Sequence, residues 1–177
     1  MASNGKGIVK IYRTFDDDAV SKIITHPAIW KTVAEEGQLQ EDFNPDCEGD
    51  CWLLLEADEG NIGVYNIHPH NSVTLEIHAH VLPEFRKKYA FESGDLTLNW
   101  IMSEAPERYQ KVIAQIPSCY QNVIDFTLGH GFVKEGINRL SDRVDGVLYD
   151  QWLLGITRTE IGEYFDAQLR TETRQAV

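Results

Sequence analysis

Disulfide-forming capacity is the first thing the chain lacks. Three cysteines, an odd number, cannot staple a fold of 177 residues. Cys47 and Cys51 stand as C-x3-C in an acidic stretch without a second pair at zinc-finger spacing. Cys119 precedes an expected helix start, which would lower its thiol pKa, yet no histidine adjoins it in sequence. All three read as incidental or structural thiols. Positive charge is scarce as well: 16 Lys and Arg face 28 Asp and Glu, for a formal net charge of -12. Nucleic acid and anionic membranes would therefore meet long-range repulsion, and neither is expected as a partner. Long hydrophobic runs are absent. Trp52 to Leu55 and Trp152 to Leu154 fall far short of the roughly 20 residues that span a bilayer. Met1 to Gly7 is polar, reads as a flexible leader, and has no apolar stretch of a secretory signal, so a cytoplasmic location is expected. Internal repeats and low-complexity tracts are missing too.

What remains is 42% hydrophobic, enough for a core in one domain over residues 1–177, with residues 161–177 as a frayed end. Ile8 to Phe15 predicts a first strand. Asp16, Asp17 and Asp18 offer an N-cap and first-turn acids before Val20, Ile23, Ile24, Ile29 and Val33, whose spacing predicts two short helices broken at His26-Pro27. Gln38 to Asp50 reads as an acidic loop. Cys51 to Glu56, Ile62 to Ile67 and Val73 to Val81 predict a three-stranded antiparallel meander. A long helix follows Pro83, with Tyr89, Leu96, Leu98, Trp100 and Ile101 on one broad face. Lys111 to Ile116 predicts a strand and Gln121 to Leu128 a helix. Lys134 to Leu140 and Val147 to Ile156 predict a closing hairpin with Ser141 to Gly146 as its turn. The order is β-αα-βββ-α-β-α-ββ, an α/β (α+β) pattern.

That order carries a set of residues: Asn122, Gly131-Phe132, Glu135-Gly136, Arg139, Gly146, Asp150, and Arg158 with Glu160. With Leu82-Pro83-Glu84-Phe85-Arg86 after the fourth strand, it resembles the GNAT superfamily of acetyl-coenzyme A dependent N-acetyltransferases, especially its ribosomal-protein N-acetyltransferase-like branch. The resemblance covers roughly Ile8 to Glu160. It implies a mixed, mainly antiparallel twisted sheet with helices on both faces, splayed between the fourth and fifth strands. The implied function is acetyl transfer to a primary amine of a small molecule or protein, with a homodimer as a possible assembly.

The family holds the coenzyme's pyrophosphate at a helix N-terminus behind a glycine-rich loop, where orphan backbone N–H groups meet the anion. Here its R-G-x-G-x-A is matched by Arg86-Lys87-Lys88-Tyr89-Ala90, without glycine. Either the three cations replace the backbone contacts by charge, or the acetyl-coenzyme A site has degenerated. By resemblance, Ala79, His80 and Val81 would pair with the coenzyme, Arg86 to Ala90 would face its pyrophosphate, and Asn122 would lie near its pantetheine arm.

Acetyl transfer needs a base for the ammonium, an oxyanion donor and an acid for the thiolate. Strand alternation puts Thr74, Glu76, His78 and His80 on one face, which makes Glu76 and His78 the candidate bases. The other reading of that face is a polar cross-strand network. Thr127 stands where many family members carry an acidic tyrosine, and Tyr120 is the nearest substitute. His78-x-His80-x3-Glu84 also has the spacing of a cupin metal site, with His68 or His70 as further ligands, but Pro83 should end the strand first, and no metal is expected. The acidic runs Asp16 to Asp18, Glu35-Glu36 and Glu41 to Asp50 either steer a cationic acceptor or are a solvated surface. The alternative function is a non-catalytic GNAT-fold protein of a tailed bacteriophage or prophage, acting in virion assembly or host interaction. Large side chains such as Tyr89 and Phe91 filling the coenzyme site would favour it.

Overall fold

A computed structural model describes residues 9–34 and 37–175. The elements are β1 (Lys10–Thr14), α1 (Asp17–Ile24), α2 (Pro27–Val33), a single 3-10 turn at Gln40–Asp42, β2 (Cys51–Ala57), β3 (Gly60–Pro69), β4 (Thr74–Val81), α3 (Pro83–Glu104), β5 (Lys111–Pro117), α4 (Gln121–Gly129), β6 (Val133–Val144), β7 (Val147–Thr157) and α5 (Arg158–Gln175). The strands form one seven-stranded sheet in the order β1-β2-β3-β4-β5-β7-β6. The pairs β1–β2, β2–β3, β5–β7 and β6–β7 are antiparallel, and β4–β5 is parallel. This is the mixed, mainly antiparallel sheet expected from the sequence. Ile8, the expected start of the first strand, and the Glu35-Glu36 pair lie outside the described residues.

The described chain divides into two compact units. One comprises the residues up to His68 with His78–Thr97, the other Pro69–Ile77 with the chain from Leu98 onward.

In the first unit, Asp16 caps α1 by accepting from the Ala19 N–H at 2.9 Å. Val20, Ile23 and Ile24 then fall on one helical face and are buried. Pro27 opens α2, where a missing N–H costs nothing. Both helices pack on Trp52, Leu54 and Val64 of β2 and β3. Side chains alternate along a strand, so Tyr65 leaves the opposite face, where its hydroxyl meets Ser93 of α3 at 3.0 Å. This unit therefore carries helices on both faces of its strands. Gly63 is required where β3 passes β4: a Cβ there would lie 2.6 Å from the His80 carbonyl oxygen and 3.0 Å from Val81 Cα.

In the second unit, Arg158 closes the end of α3. Its Nε donates to the Tyr109 carbonyl at 2.8 Å, and its two terminal nitrogens reach the carbonyls of Met102, Ile101 and Ala105 at 3.1, 3.0 and 2.7 Å. The guanidinium thus supplies acceptors around a helix C-terminus with donors, among them the Ile101 carbonyl, which also accepts from the Ala105 N–H at 3.3 Å. The β6–β7 hairpin corrects the expected turn. Ser141–Val144 continue β6, pairing through Arg143↔Leu148 and Val144↔Val147, and the turn is Asp145-Gly146 alone. Both turn residues have positive φ, 49° and 79°, as a two-residue hairpin turn matching the strand twist demands. β6 is an exposed edge strand, so its polar residues imitate a loop.

Candidate functional site

The residues expected at the pyrophosphate begin inside a helix. α3 starts at Pro83, which places Arg86, Lys87, Lys88, Tyr89 and Ala90 in its first two turns instead of in a preceding loop. The correction has a simple cause: without glycine no residue favours leaving helical φ/ψ, and Pro83 already supplies the φ of a first helical position. Arg86 turns back so that its Nε donates to the Val81 carbonyl at 2.8 Å. Lys88 donates to Glu59 Oε1 at 2.8 Å, its ammonium 4.5 Å from the centre of the Tyr89 ring. The Tyr89 hydroxyl donates to Glu59 Oε2 at 2.7 Å. One carboxylate from the β2–β3 turn thus accepts from both groups. The Lys88 contact first, then Tyr89, hold the Glu59 carboxyl down at about 2. The Lys88 ammonium is correspondingly raised by its bond to Glu59. Lys87 is exposed. Tyr89 is buried, whereas Phe91 is 51% exposed and fills nothing.

On β4, Ala79 is exposed and His80 half-buried. Desolvation of the His80 imidazole, with the nearby His78 and Arg86, pulls it down to about 3, so it is neutral at physiological pH. His78 meets His68 of β3 with Nε2 facing Nε2 at 3.1 Å. The ring centroids are 5.3 Å apart and the planes 17° apart. Such a separation arises only when the rings meet end to end in nearly one plane, nitrogen against nitrogen. This is the geometry of an N–H···N bond between two imidazoles. Glu84, the third member of the cupin-like spacing, sits in the first turn of α3.

Next to this pair is a feature without a sequence signal. Trp52 and Asn66 are directly opposed on β2 and β3, 7% and 9% exposed, and Trp52 Nε1 and Asn66 Nδ2 have no hydrogen-bond partner. A buried unsatisfied donor costs about 1–3 kcal/mol, so two side by side call for a physical reason.

In the second unit, Glu76 is buried, and its two carboxylate oxygens have separate partners: Oε2 with His70 Nδ1 at 3.2 Å, and Oε1 with Gln115 Nε2 at 3.2 Å. The parallel ladder of β4 with β5 has three pairs, Thr74–Glu76 with Lys111–Ile113. Ile77 to Val81 continue β4 beyond it.

No family model matches the sequence, and no curated protein matches it. Solved structures do. A spermidine N-acetyltransferase from Vibrio cholerae, in complex with CoA and spermine, superposes with a TM-score of 0.72 at 14% identity, covering 86% of this chain and 97% of that one. A GNAT-family acetyltransferase from Bacillus anthracis gives 0.68 at 19% identity over 85% and 95% of the two chains. One from Streptococcus pneumoniae gives 0.63 at 13% over 85% and 99%. The chain has the GNAT fold.

Within the GNAT fold the remaining expected residues fall as follows. Asn122 is exposed in the first turn of α4. Thr127 is buried and donates to the Val123 carbonyl at 2.9 Å, an internal helix bond that leaves its hydroxyl a structural role. Tyr120 occupies the N-cap position of α4 and is half-buried, with its phenol raised by desolvation and then by Cys119, Asp145 and Asp142. It is a protonated donor at neutral pH. Cys119 is exposed, yet its thiol is raised by partial desolvation against a lowering backbone contact, with Asp142 and Asp145 adding to the rise. The lowering expected from a helix start is thus outweighed, first by desolvation and then by Asp142 and Asp145. Gln115, Glu59, Trp52 and Asn66 escaped sequence reasoning, and His68 entered it only as a possible metal ligand. Alternation along β2 and β3 bears only on Trp52 and Asn66, while Gln115 lies on β5 and Glu59 in the β2–β3 turn.

Proposed function

We propose that this protein is an acetyl-coenzyme A dependent N-acetyltransferase acting on a primary amine of a small molecule or protein. The observation that carries the reading is the meeting of a GNAT fold with ionisable side chains on the polar face of β4. The solved relatives with this fold are acetyltransferases, one of them solved with CoA and spermine.

The residues present suit the coenzyme. Lys88 and the Tyr89 hydroxyl hold the anionic oxygen pair of Glu59, a contact that supports anion binding at this place. Arg86, Lys87 and Lys88 would face the pyrophosphate by charge at the start of α3, and Ala79, His80 and Val81 would offer backbone partners. Asn122 would stand by the pantetheine arm. The coenzyme supplies the activated acetyl group. His78 and Glu76 serve as bases for the acceptor ammonium. In the His68–His78 contact, whichever ring donates from Nε2 carries its lone pair on Nδ1. The neutral His80 adds no competing cation beside it.

Thermal stability during titration with acetyl-coenzyme A and with coenzyme A tests the reading. At about 100 times its dissociation constant a ligand stabilises by roughly 2.7 kcal/mol. A clear shift, diminished in Lys87→Ala and Lys88→Ala, is expected. Absence of any shift at millimolar coenzyme would overturn it and favour a binding protein that kept only the fold.

A further inference from the structure

The two orphan donors of the first unit specify what the amine acceptor carries. Trp52 and Asn66 are register partners, so their side chains leave the same face of β2 and β3. That is the face covered by α1 and α2, because Trp52 packs in their cluster with Val20, Ile23 and Ile24. His68 lies two residues beyond Asn66 on β3 and therefore leaves the same face, and its Nε2 contact brings His78 there as well. Both orphan atoms, an indole Nε1–H and an amide Nδ2–H, can only donate. Each residue is more than nine-tenths buried. What satisfies them must present an oxygen acceptor. A polyamine offers ammonium groups and methylenes, and neither can accept from an indole or an amide.

We infer that Trp52 and Asn66 form a subsite for a carbonyl or carboxylate oxygen of the acceptor, whose amine is then presented to the His68–His78 pair. The substrate class is an amine with an oxygen acceptor close to its nitrogen, of amino-acid or amino-amide type. This inference rests on the acetyl-transfer reading for the role of the amine, but not for the existence of the subsite. It sets the chain apart from the polyamine-bound relative of the same fold.

The test follows the indole N–H resonance of Trp52 in the 15N-labelled full chain, assigned by its loss in Trp52→Phe. Should that variant not fold, Trp30→Phe, Trp100→Phe and Trp152→Phe assign it by elimination. The probes are L-alanine, L-alaninamide, n-propylamine and spermidine. A saturable downfield displacement with alanine or alaninamide, and none with the two oxygen-free amines, is expected. Alanine against alaninamide separates carboxylate from carbonyl. Asn66→Asp, which sets an acceptor opposite the indole inside the protein, should weaken the response at least ten-fold. An indole unmoved by all four probes would mean a buried water only and would overturn the subsite. An equal response to n-propylamine would do the same. Acetyl transfer to the same probes is followed in parallel. A displaced indole without transfer would leave the subsite standing and remove the enzyme reading, whereas transfer to n-propylamine with a silent indole would do the reverse.

Discussion

Glu59 competes with any anion that approaches the start of α3, because both of its oxygens accept from the donors available there. Glu59→Gln removes the competing charge and is expected to tighten coenzyme binding several-fold, as read by calorimetric titration. The same residue leaves a signature in acid. Its folded-state carboxyl at about 2 lies below the ordinary value of 4.5, so its contribution is complete above pH 4.5 and is lost as pH falls towards 2. The Tm difference between wild type and Glu59→Gln should accordingly shrink across that window. The pair is exposed, and its share of stability is small. His80 acts at higher pH. Its imidazole at about 3 against an ordinary 6.5 means that the unfolded chain binds a proton the folded one refuses. Stability should be full above pH 6.5 and decline down to 3, and His80→Asn should flatten that slope in pH-dependent denaturant melts.

Elements were legible where burial imposes a period. Val20, Ile23 and Ile24 announced α1, and alternating or continuous apolar residues announced β2, β3 and β4, because one-sided or complete burial leaves a trace in sequence. The end of β6 was not legible, since an exposed edge strand has no face to pattern and Ser141-Asp142-Arg143 resembles a turn. Asp145-Gly146, two residues on, was the true signal. The candidate site was legible by half. Glu76 and His78 followed from alternation along one strand, but the partners that give them chemical character, His68, His70 and Gln115, depend on register between strands, which no local pattern encodes. The same holds for Glu59 against Lys88, 29 residues apart. Two substitutions test the elements themselves. Arg158→Met removes the guanidinium from four carbonyls around the end of α3, of which Ile101 keeps the Ala105 N–H, and a loss of about 2–4 kcal/mol is expected from urea melts. Gly63→Ala drives a methyl into the β4 backbone and should cost about 2–4 kcal/mol as well.

At the scale of the whole molecule, a net charge of -12 sets the long-range field. Cationic amines are drawn in at low salt, and the attraction fades as the Debye length shortens from about 30 Å at 0.01 M to about 8 Å at 0.15 M. For a cationic acceptor such as alaninamide, KM is expected to rise with added salt more steeply than for zwitterionic alanine in the same steady-state assay. Among the described residues no helix is long and apolar enough to cross a membrane.

The guanidinium that closes α3 comes from far along the chain: its four acceptors lie 49 to 57 residues before it. As the polypeptide is synthesised, the last turn of that helix exists for some fifty residues with solvent as its only cap. It gains its permanent one only after β5, α4 and the whole β6–β7 hairpin have been made. The finishing of an early helix is thereby delegated to the first residue of the last one, and the corner around Arg158 becomes a place where folding is completed, not begun.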